Sequence, residues 1–143
     1  MPGIIVGIDE SAHSARALEW AIKVGALQHA PVTVITVNSV PASPWTGNPT
    51  VLAQDPEVLA RLRQAAEDMT VKVTRQLNGE RPASVTVRAI NGFPAQELIN
   101  ASRDADLVVV GSRGAGGFAR LLVGSVSDQV VHHAHCPVMV VRS

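Results

Sequence analysis

Five short apolar segments alternate along the chain with four segments in which apolar residues recur at helical spacing, and this alternation constrains the fold most. The five segments are rich in valine and isoleucine, as expected of buried strands. They span residues 4–8, 32–37, 84–90, 107–110 and 138–141. The order β-α-β-α-β-α-β-α-β predicts an α/β fold with one parallel sheet and helices on both faces.

Capping residues indicate where the helices begin and end. Asp9 and Ser11 are suitable caps for the first helix, and Asp55 precedes a proline that can open the second. Gly79 can stop that second helix. The predicted helices span about residues 9–30, 55–79, 94–104 and 125–134. Residues 38–54 contain prolines and show no periodicity, so we expect a long loop there.

Length and composition are those of a single globular domain, which we expect to span residues 1–143. Apolar residues make up 46% of the chain, and 12 basic residues balance 12 acidic ones. Because no net positive charge exists, we expect neither a nucleic acid nor a membrane partner. Cys136 is the only cysteine, and no leader-like or membrane-spanning run is recognisable. A cytoplasmic location is therefore expected.

A glycine-rich stretch between the fourth strand and the last helix is the strongest functional signal. It runs from Gly111 to Gly124 and leads into Ser125. Glycine lets a backbone approach a ligand closely, and a helix N-terminus favours phosphate. Arg113 is either a phosphate contact or a solvent-exposed cation. The alternative is an ordinary connection capped by Ser125, which stands at capping-box spacing from Asp128.

Two better-known nucleotide motifs do not fit this stretch. Gly114-x-Gly116-x-x-Ala119 formally matches a dinucleotide fingerprint, but that fingerprint belongs after the first strand. A Walker A loop requires a lysine, and residues 111–124 contain none.

Strand order decides whether the glycine-rich stretch can meet Asp9. In a Rossmann-like sheet of order 3-2-1-4-5, ligands bind where the order reverses, between strands 1 and 4. Asp9 follows strand 1 and Gly111 ends strand 4, with Val37 at the end of strand 2 beside them. A flavodoxin-like order, 2-1-3-4-5, would instead bring Asp9 toward residues 91–93. If the strand order does not reverse beside it, Asp9 is simply a helix cap.

Four motifs together make the whole chain resemble the universal stress protein family. They are Val6-Gly7-Ile8-Asp9-x-Ser11, Gly92-x-Pro94, Gly111-x2-Gly114-x9-Gly124-Ser125 and the terminal run from His135 to Val141. The glycine spacing is the one found in the ATP-binding branch of that family. The resemblance therefore implies an ATP-binding protein of the stress response, with ATP bound alone or with Mg2+.

The resemblance also implies roles for individual residues. Asp9 would hold the adenosine moiety, the backbone near Val37 would contact adenine, and Val110 would lie along the base and ribose. The phosphates would be cradled by the spaced glycines and by the first turn of the last helix. The full set of predicted ATP-binding residues is Gly7, Asp9, Val37, Val110, Gly111, Arg113, Gly114, Gly117, Gly124, Ser125, Val126 and Ser127.

Other functions have less support in the sequence. His132, His133, His135 and Cys136 form a metal-like cluster, but the helix is expected to end between them, so we expect no metal site. Enzymatic activity is expected to be at most weak ATP hydrolysis. A sensor of AMP or cyclic AMP is the alternative. A flavin carrier fits least, because the chain has no tyrosine.

The final strand predicts a homodimer. In the 3-2-1-4-5 order, residues 138–141 lie at a sheet edge and are apolar throughout. An apolar edge strand is usually covered or paired. We therefore expect symmetric antiparallel pairing of two copies, which the resemblance also implies; a monomer with a solvated edge is the alternative.

Overall fold

A computed structural model describes residues 3–39, 55–112 and 125–142. Its strands form one parallel sheet in the order β3-β2-β1-β4-β5, which confirms the predicted fold and topology. The elements are β1 (Ile4–Ile8), α1 (Ala12–Gln28), β2 (Pro31–Ser39), α2 (Pro56–Gln76), β3 (Ser84–Gly92), α3 (Pro94–Ala101), a 3-10 turn (Ser102–Asp104), β4 (Leu107–Gly111), α4 (Ser125–His133) and β5 (Val138–Val141).

Two apolar clusters divide the core between the two faces of the sheet. The first joins α1 and α2 to one face, with Leu18, Ile22 and Val73 among its members. The second joins α3 and α4 to the other face, with Leu98 and Val130 among its members. Successive side chains of β1 and β2 face opposite clusters, because side chains alternate between the two faces of a sheet and both faces of this sheet are buried. The structure therefore has the helices on both faces that the sequence predicts.

Both long helices end earlier than predicted. α1 stops at Gln28 because His29 adopts a left-handed conformation at φ 51°, and the Ala30 N–H bonds Gly25 O at 2.9 Å. This is the usual way in which a helix closes its last turn. α2 stops at Gln76, and Leu77 is already extended rather than helical. Gly79, at φ 126°, lies in the following connection and not at the helix end.

Helix starts agree better with the sequence, with one exception. Asp55 caps α2 by accepting a bond from the Glu57 N–H at 2.9 Å, and Pro56 is the first helical residue. At α1 the N-cap is Ser11, which makes no side-chain capping bond. Asp9 stands two residues earlier, so of the two candidate caps it is Ser11 that occupies the cap position.

β2 and β3 extend beyond the predicted segments at the carboxyl edge of the sheet. Asn38 and Ser39 belong to β2, and they pair with Asn91 and Gly92 of β3. The Asn38 Nδ2 donates to Asn91 Oδ1 at 2.9 Å, so an amide pair continues the ladder where polar residues had indicated a loop. The remainder of the predicted loop, residues 40–54, lies outside the described part of the chain.

None of the helices in the described ranges is long and apolar enough to cross a membrane.

Candidate functional site

The candidate site lies at the carboxyl edge of the sheet, where β1 and β4 run side by side. Val6 aligns with Val109, and the two strands end nearby at Ile8 and Gly111. β1 continues into α1 on one face, whereas α4 packs on the other face. Strands whose connections diverge in this way leave a crevice between their ends, which is where open α/β sheets bind ligands.

Asp9 lies at this edge of the sheet, directly after β1. One of its carboxylate oxygens, Oδ1, accepts hydrogen bonds from the Ser11 N–H at 2.7 Å and from the Ser14 hydroxyl at 2.8 Å. The Ser11 hydroxyl donates to the same oxygen. Bonds to an ionised acceptor are stronger than those between neutral groups. The site therefore has an acidic group whose orientation is fixed by the start of α1.

Three of the predicted contact residues belong to the apolar cluster on the α3/α4 face. Val110 is 3% exposed within the cluster, while Val37 and Val126 are half-buried and pack against it. They come from β2, β4 and α4, so the fold gathers residues that are 16 to 89 positions apart in sequence. Apolar side chains suit the faces of an aromatic base.

The start of α4 supplies a helix N-terminus at the same edge of the sheet. α4 follows β4 and leads back to β5, so its first residue, Ser125, is on the carboxyl side. Ser127 lies in its first turn and is 2% exposed. The first turn of a helix presents backbone N–H groups without helical partners, and these favour anions. Four further predicted residues lie outside the described residues: Arg113, Gly114, Gly117 and Gly124.

Gly7 faces α3 from within β1. A Cβ built on Gly7 would come within 2.5 Å of Leu98 Cδ1 and 3.0 Å of Leu98 Cδ2. Leu98 is itself almost completely buried, so it has little room to move. Close packing of α3 on β1 is thus sufficient to explain why residue 7 is a glycine. A role of Gly7 in ATP binding stays a prediction.

Gly7→Ala is expected to lower the free energy of unfolding by about 1–3 kcal/mol, because the added methyl overpacks the contact with Leu98. Urea unfolding of the two proteins measures the change. In a Leu98→Ala background the same substitution should cost much less, since the space is then available. An equal cost in both backgrounds would show that Leu98 is not the reason for the glycine.

The metal-like cluster near the end of α4 is not assembled in the structure. His132 Nδ1 lies 2.7 Å from the Asp128 carbonyl oxygen, so its ring is engaged within its own helix. Among the residues in the described ranges, no group of three or more histidine, cysteine, aspartate and glutamate side chains is placed to hold a metal ion. Burial raises the pKa of the Cys136 thiol, and the Asp106 carboxylate adds to this effect, while a backbone hydrogen bond at Val108 opposes it. A thiol kept protonated is a weak nucleophile.

Sequence reasoning missed Ser14. It lies in the first turn of α1, five residues after Asp9, and it bonds that carboxylate. The signal in the sequence is the five-residue spacing between Asp9 and Ser14. When α1 begins at Ala12, Ser14 is its third residue and points back toward the end of β1.

Comparison with known proteins identifies relatives along almost the whole chain. The sequence model of the universal stress protein family matches residues 2–142. A universal stress protein of Mycolicibacterium smegmatis is 37% identical over 143 residues, which cover 98% of this chain and 48% of the relative. One from Methanocaldococcus jannaschii is 31% identical over 141 residues, which cover 97% of this chain and 81% of the relative. The chain thus spans about half the length of the mycobacterial protein.

Solved structures share the fold. A universal stress protein from Lactobacillus plantarum superposes with a TM-score of 0.78 at 24% identity, over 99% of this chain and 97% of that one. A universal stress protein in complex with cAMP has a TM-score of 0.68 at 24% identity, over 98% and 96% of the two chains. The Archaeoglobus fulgidus protein in complex with dAMP has a TM-score of 0.64 at 22% identity, over 98% and 97%.

Proposed function

The chain belongs to the universal stress protein family, and we propose that this member is a cytoplasmic ATP-binding protein that acts in regulation of the stress response. Family membership supports the physiological part of the proposal. The nucleotide part rests on one observation: the fixed Asp9 carboxylate lies at the carboxyl edge of the sheet, where β1 and β4 run side by side. We propose that residues 1–143 form one nucleotide-binding domain.

The described residues fit an adenine nucleotide in three respects. The Asp9 carboxylate can accept a hydrogen bond from a ligand hydroxyl or amine. The half-buried side chains of Val37 and Val126 can pack against a base, and the Val110 backbone can lie along it. The first turn of α4 can favour phosphate, and the spacing Gly111-x2-Gly114-x9-Gly124 precedes it in sequence.

Mg2+ is proposed only as a companion of the nucleotide. Within the described ranges, no three histidine, cysteine, aspartate or glutamate side chains are grouped so that they could hold a metal ion. The ion would therefore be held mainly by ATP phosphate oxygens, which is the common arrangement for this cation. We propose at most slow hydrolysis of the bound ATP.

A second candidate is a sensor of adenosine monophosphates. It is favoured by the two structures of the same fold that contain cAMP and dAMP. Competition separates the candidates: displacement of a fluorescent ATP analogue by AMP or cAMP at lower concentrations than by ATP would favour the sensor. Mass spectrometry of nucleotide released from protein purified without added ligand identifies the physiological occupant.

ATP is expected to raise the free energy of unfolding by about 2.7 kcal/mol at a concentration near 100 times its Kd, because it binds the folded state only. Thermal melts with and without millimolar ATP measure this, and GTP serves as the matched control for the base. Asp9→Ala should weaken binding by about 1.5–3 kcal/mol, the range for a lost bond to a charged group. An unshifted melting temperature together with no heat by calorimetry would contradict the proposal.

We also propose a homodimer through β5. This strand lies at the edge of the sheet, and among the residues in the described ranges it pairs with β4 alone. Its flanking residues, Pro137 and Arg142, are exposed. A second copy is the simplest partner for the open edge, because a two-fold axis lets identical strands pair with each other.

A further inference from the structure

Ser14 makes two hydrogen bonds to one residue, Asp9. Its hydroxyl donates to Asp9 Oδ1 at 2.8 Å and accepts from the Asp9 backbone N–H at 2.7 Å. The Ser14 side chain is 5% exposed. Because both the donor and an acceptor position of the hydroxyl are in use, its orientation is determined. One buried serine therefore fixes the backbone and the carboxylate of Asp9 together.

The two serines that bond Asp9 differ in how firmly they are held. Ser11 is a half-buried N-cap residue at the end of the connection. Ser14 lies within α1, where helical backbone bonds and burial restrict its motion. α1 in turn packs Leu18 and Ile22 into the first apolar cluster. The bond from Ser14 thus connects the carboxylate to the rigid core, while Ser11 adds a local contact.

We propose that Ser14 is a positioning residue of the nucleotide site, which holds the Asp9 carboxylate in the direction needed to meet the adenosine moiety. This inference rests on the proposed function. Without Ser14, the carboxylate would gain rotational freedom about its side-chain torsions, and binding would have to remove that freedom again. A group whose orientation is fixed before the ligand arrives binds more tightly for this reason.

A purely structural role for Ser14 predicts a different pattern of effects. In that case the hydroxyl would only satisfy the Asp9 N–H and close the connection between β1 and α1. Its loss would then lower stability, and binding would change equally whether or not the Asp9 carboxylate is present. A positioning role requires that the effect on binding disappears when the carboxylate is removed.

Ser102 offers a matched control for the loss of a buried hydroxyl. It is completely buried, donates to Ile99 O at 2.6 Å and accepts from the His135 N–H at 2.9 Å. Like Ser14 it uses its hydroxyl in both directions. It lies after α3, where it joins the 3-10 turn to the connection before β5, and both of its partners, Ile99 and His135, lie outside the set of predicted ATP-binding residues.

The experiment is a set of ATP titrations by calorimetry on the wild type, Ser14→Ala, Asp9→Ala, the double variant and Ser102→Ala. We expect Ser14→Ala to raise Kd about 3- to 10-fold and Asp9→Ala about 10- to 150-fold. In the Asp9→Ala background, Ser14→Ala should change Kd less than about 2-fold. Ser102→Ala should lower the melting temperature, as Ser14→Ala does, but leave Kd within about 2-fold of wild type.

The outcomes separate this inference from the proposed function. If the wild type binds no adenine nucleotide, both are overturned. If it binds and Ser14→Ala has the wild-type Kd, only the positioning role is overturned. The same holds if Ser14→Ala weakens binding equally with and without the carboxylate. Faster hydrogen exchange of the Asp9 amide in Ser14→Ala, expected on loss of its acceptor, supports the assignment of the bond itself.

Discussion

Replacing Gly114 or Gly124 by valine is expected to abolish ATP binding and leave the folded domain intact. Both residues belong to the spacing Gly111-x2-Gly114-x9-Gly124 that precedes α4 in sequence. A β-branched side chain would occupy space that the phosphates need, or would forbid a backbone conformation open to glycine. Calorimetric titration with ATP measures binding, and thermal melting without nucleotide measures whether the fold survives.

Ala115→Val is the matched control for these substitutions. It adds the same branched side chain between the two glycines, at a position outside the glycine spacing. It is expected to bind ATP with nearly the wild-type Kd. If Gly114→Val or Gly124→Val also binds like the wild type, the glycine-rich stretch does not cradle the phosphates. If all three variants lose binding, any larger side chain in this stretch prevents binding, and the loss cannot be assigned to the two spaced glycines.

The sheet could be predicted because its signals are local and repeated. Each strand is a β-branched run, and parallel topology follows once helices alternate with strands. The carboxyl ends of β2 and β3 could not be predicted in the same way. Asn38 and Asn91 are poor strand formers, and they extend the ladder through a bond between side chains that are 53 residues apart. Only the completed fold brings these two amides together.

The candidate site was predictable to the extent that topology positions it. In the 3-2-1-4-5 order, the reversal after β1 brings Asp9 beside the end of β4, so the predicted topology is enough to predict that the two meet. What the sequence left open was whether Asp9 caps α1, since aspartate before a helix suits both roles. The answer depended on where α1 begins. With Ser11 as N-cap, Asp9 lies too early to cap the helix, and Ser14 comes within reach of its carboxylate.

The orientation of β5 determines which atoms its open edge offers to a partner. The Val108 N–H bonds Pro137 O at 3.0 Å, and the Ser112 N–H bonds Val141 O at 2.8 Å. In a parallel ladder alternate residues direct their backbone groups to the same neighbour. Residues 137, 139 and 141 therefore face β4, whereas Val138 and Val140 direct their N–H and C=O groups away from β4.

The side chains of β5 are already used within the domain. Met139 packs against the first apolar cluster, and Val138 and Val140 pack against the second. A charged substitution such as Val140→Lys would oppose strand pairing between two copies, but it would also disturb the second cluster. A change confined to the outward backbone groups is therefore the sharper test of the dimer.

Val140→Pro is expected to convert a dimeric wild type into a monomer that still binds ATP. Proline removes the outward N–H of residue 140 and puts its ring where the partner strand would lie, while the bonds from β4 to residues 139 and 141 are retained. Light scattering at micromolar concentration measures the mass of each protein. Val140→Ala is the matched control, because it loses more of the side chain than proline does but keeps the N–H, and it should remain dimeric. A wild type with the mass of one chain would refute the dimer, and a dimeric Val140→Pro would place the interface away from the outward groups of β5.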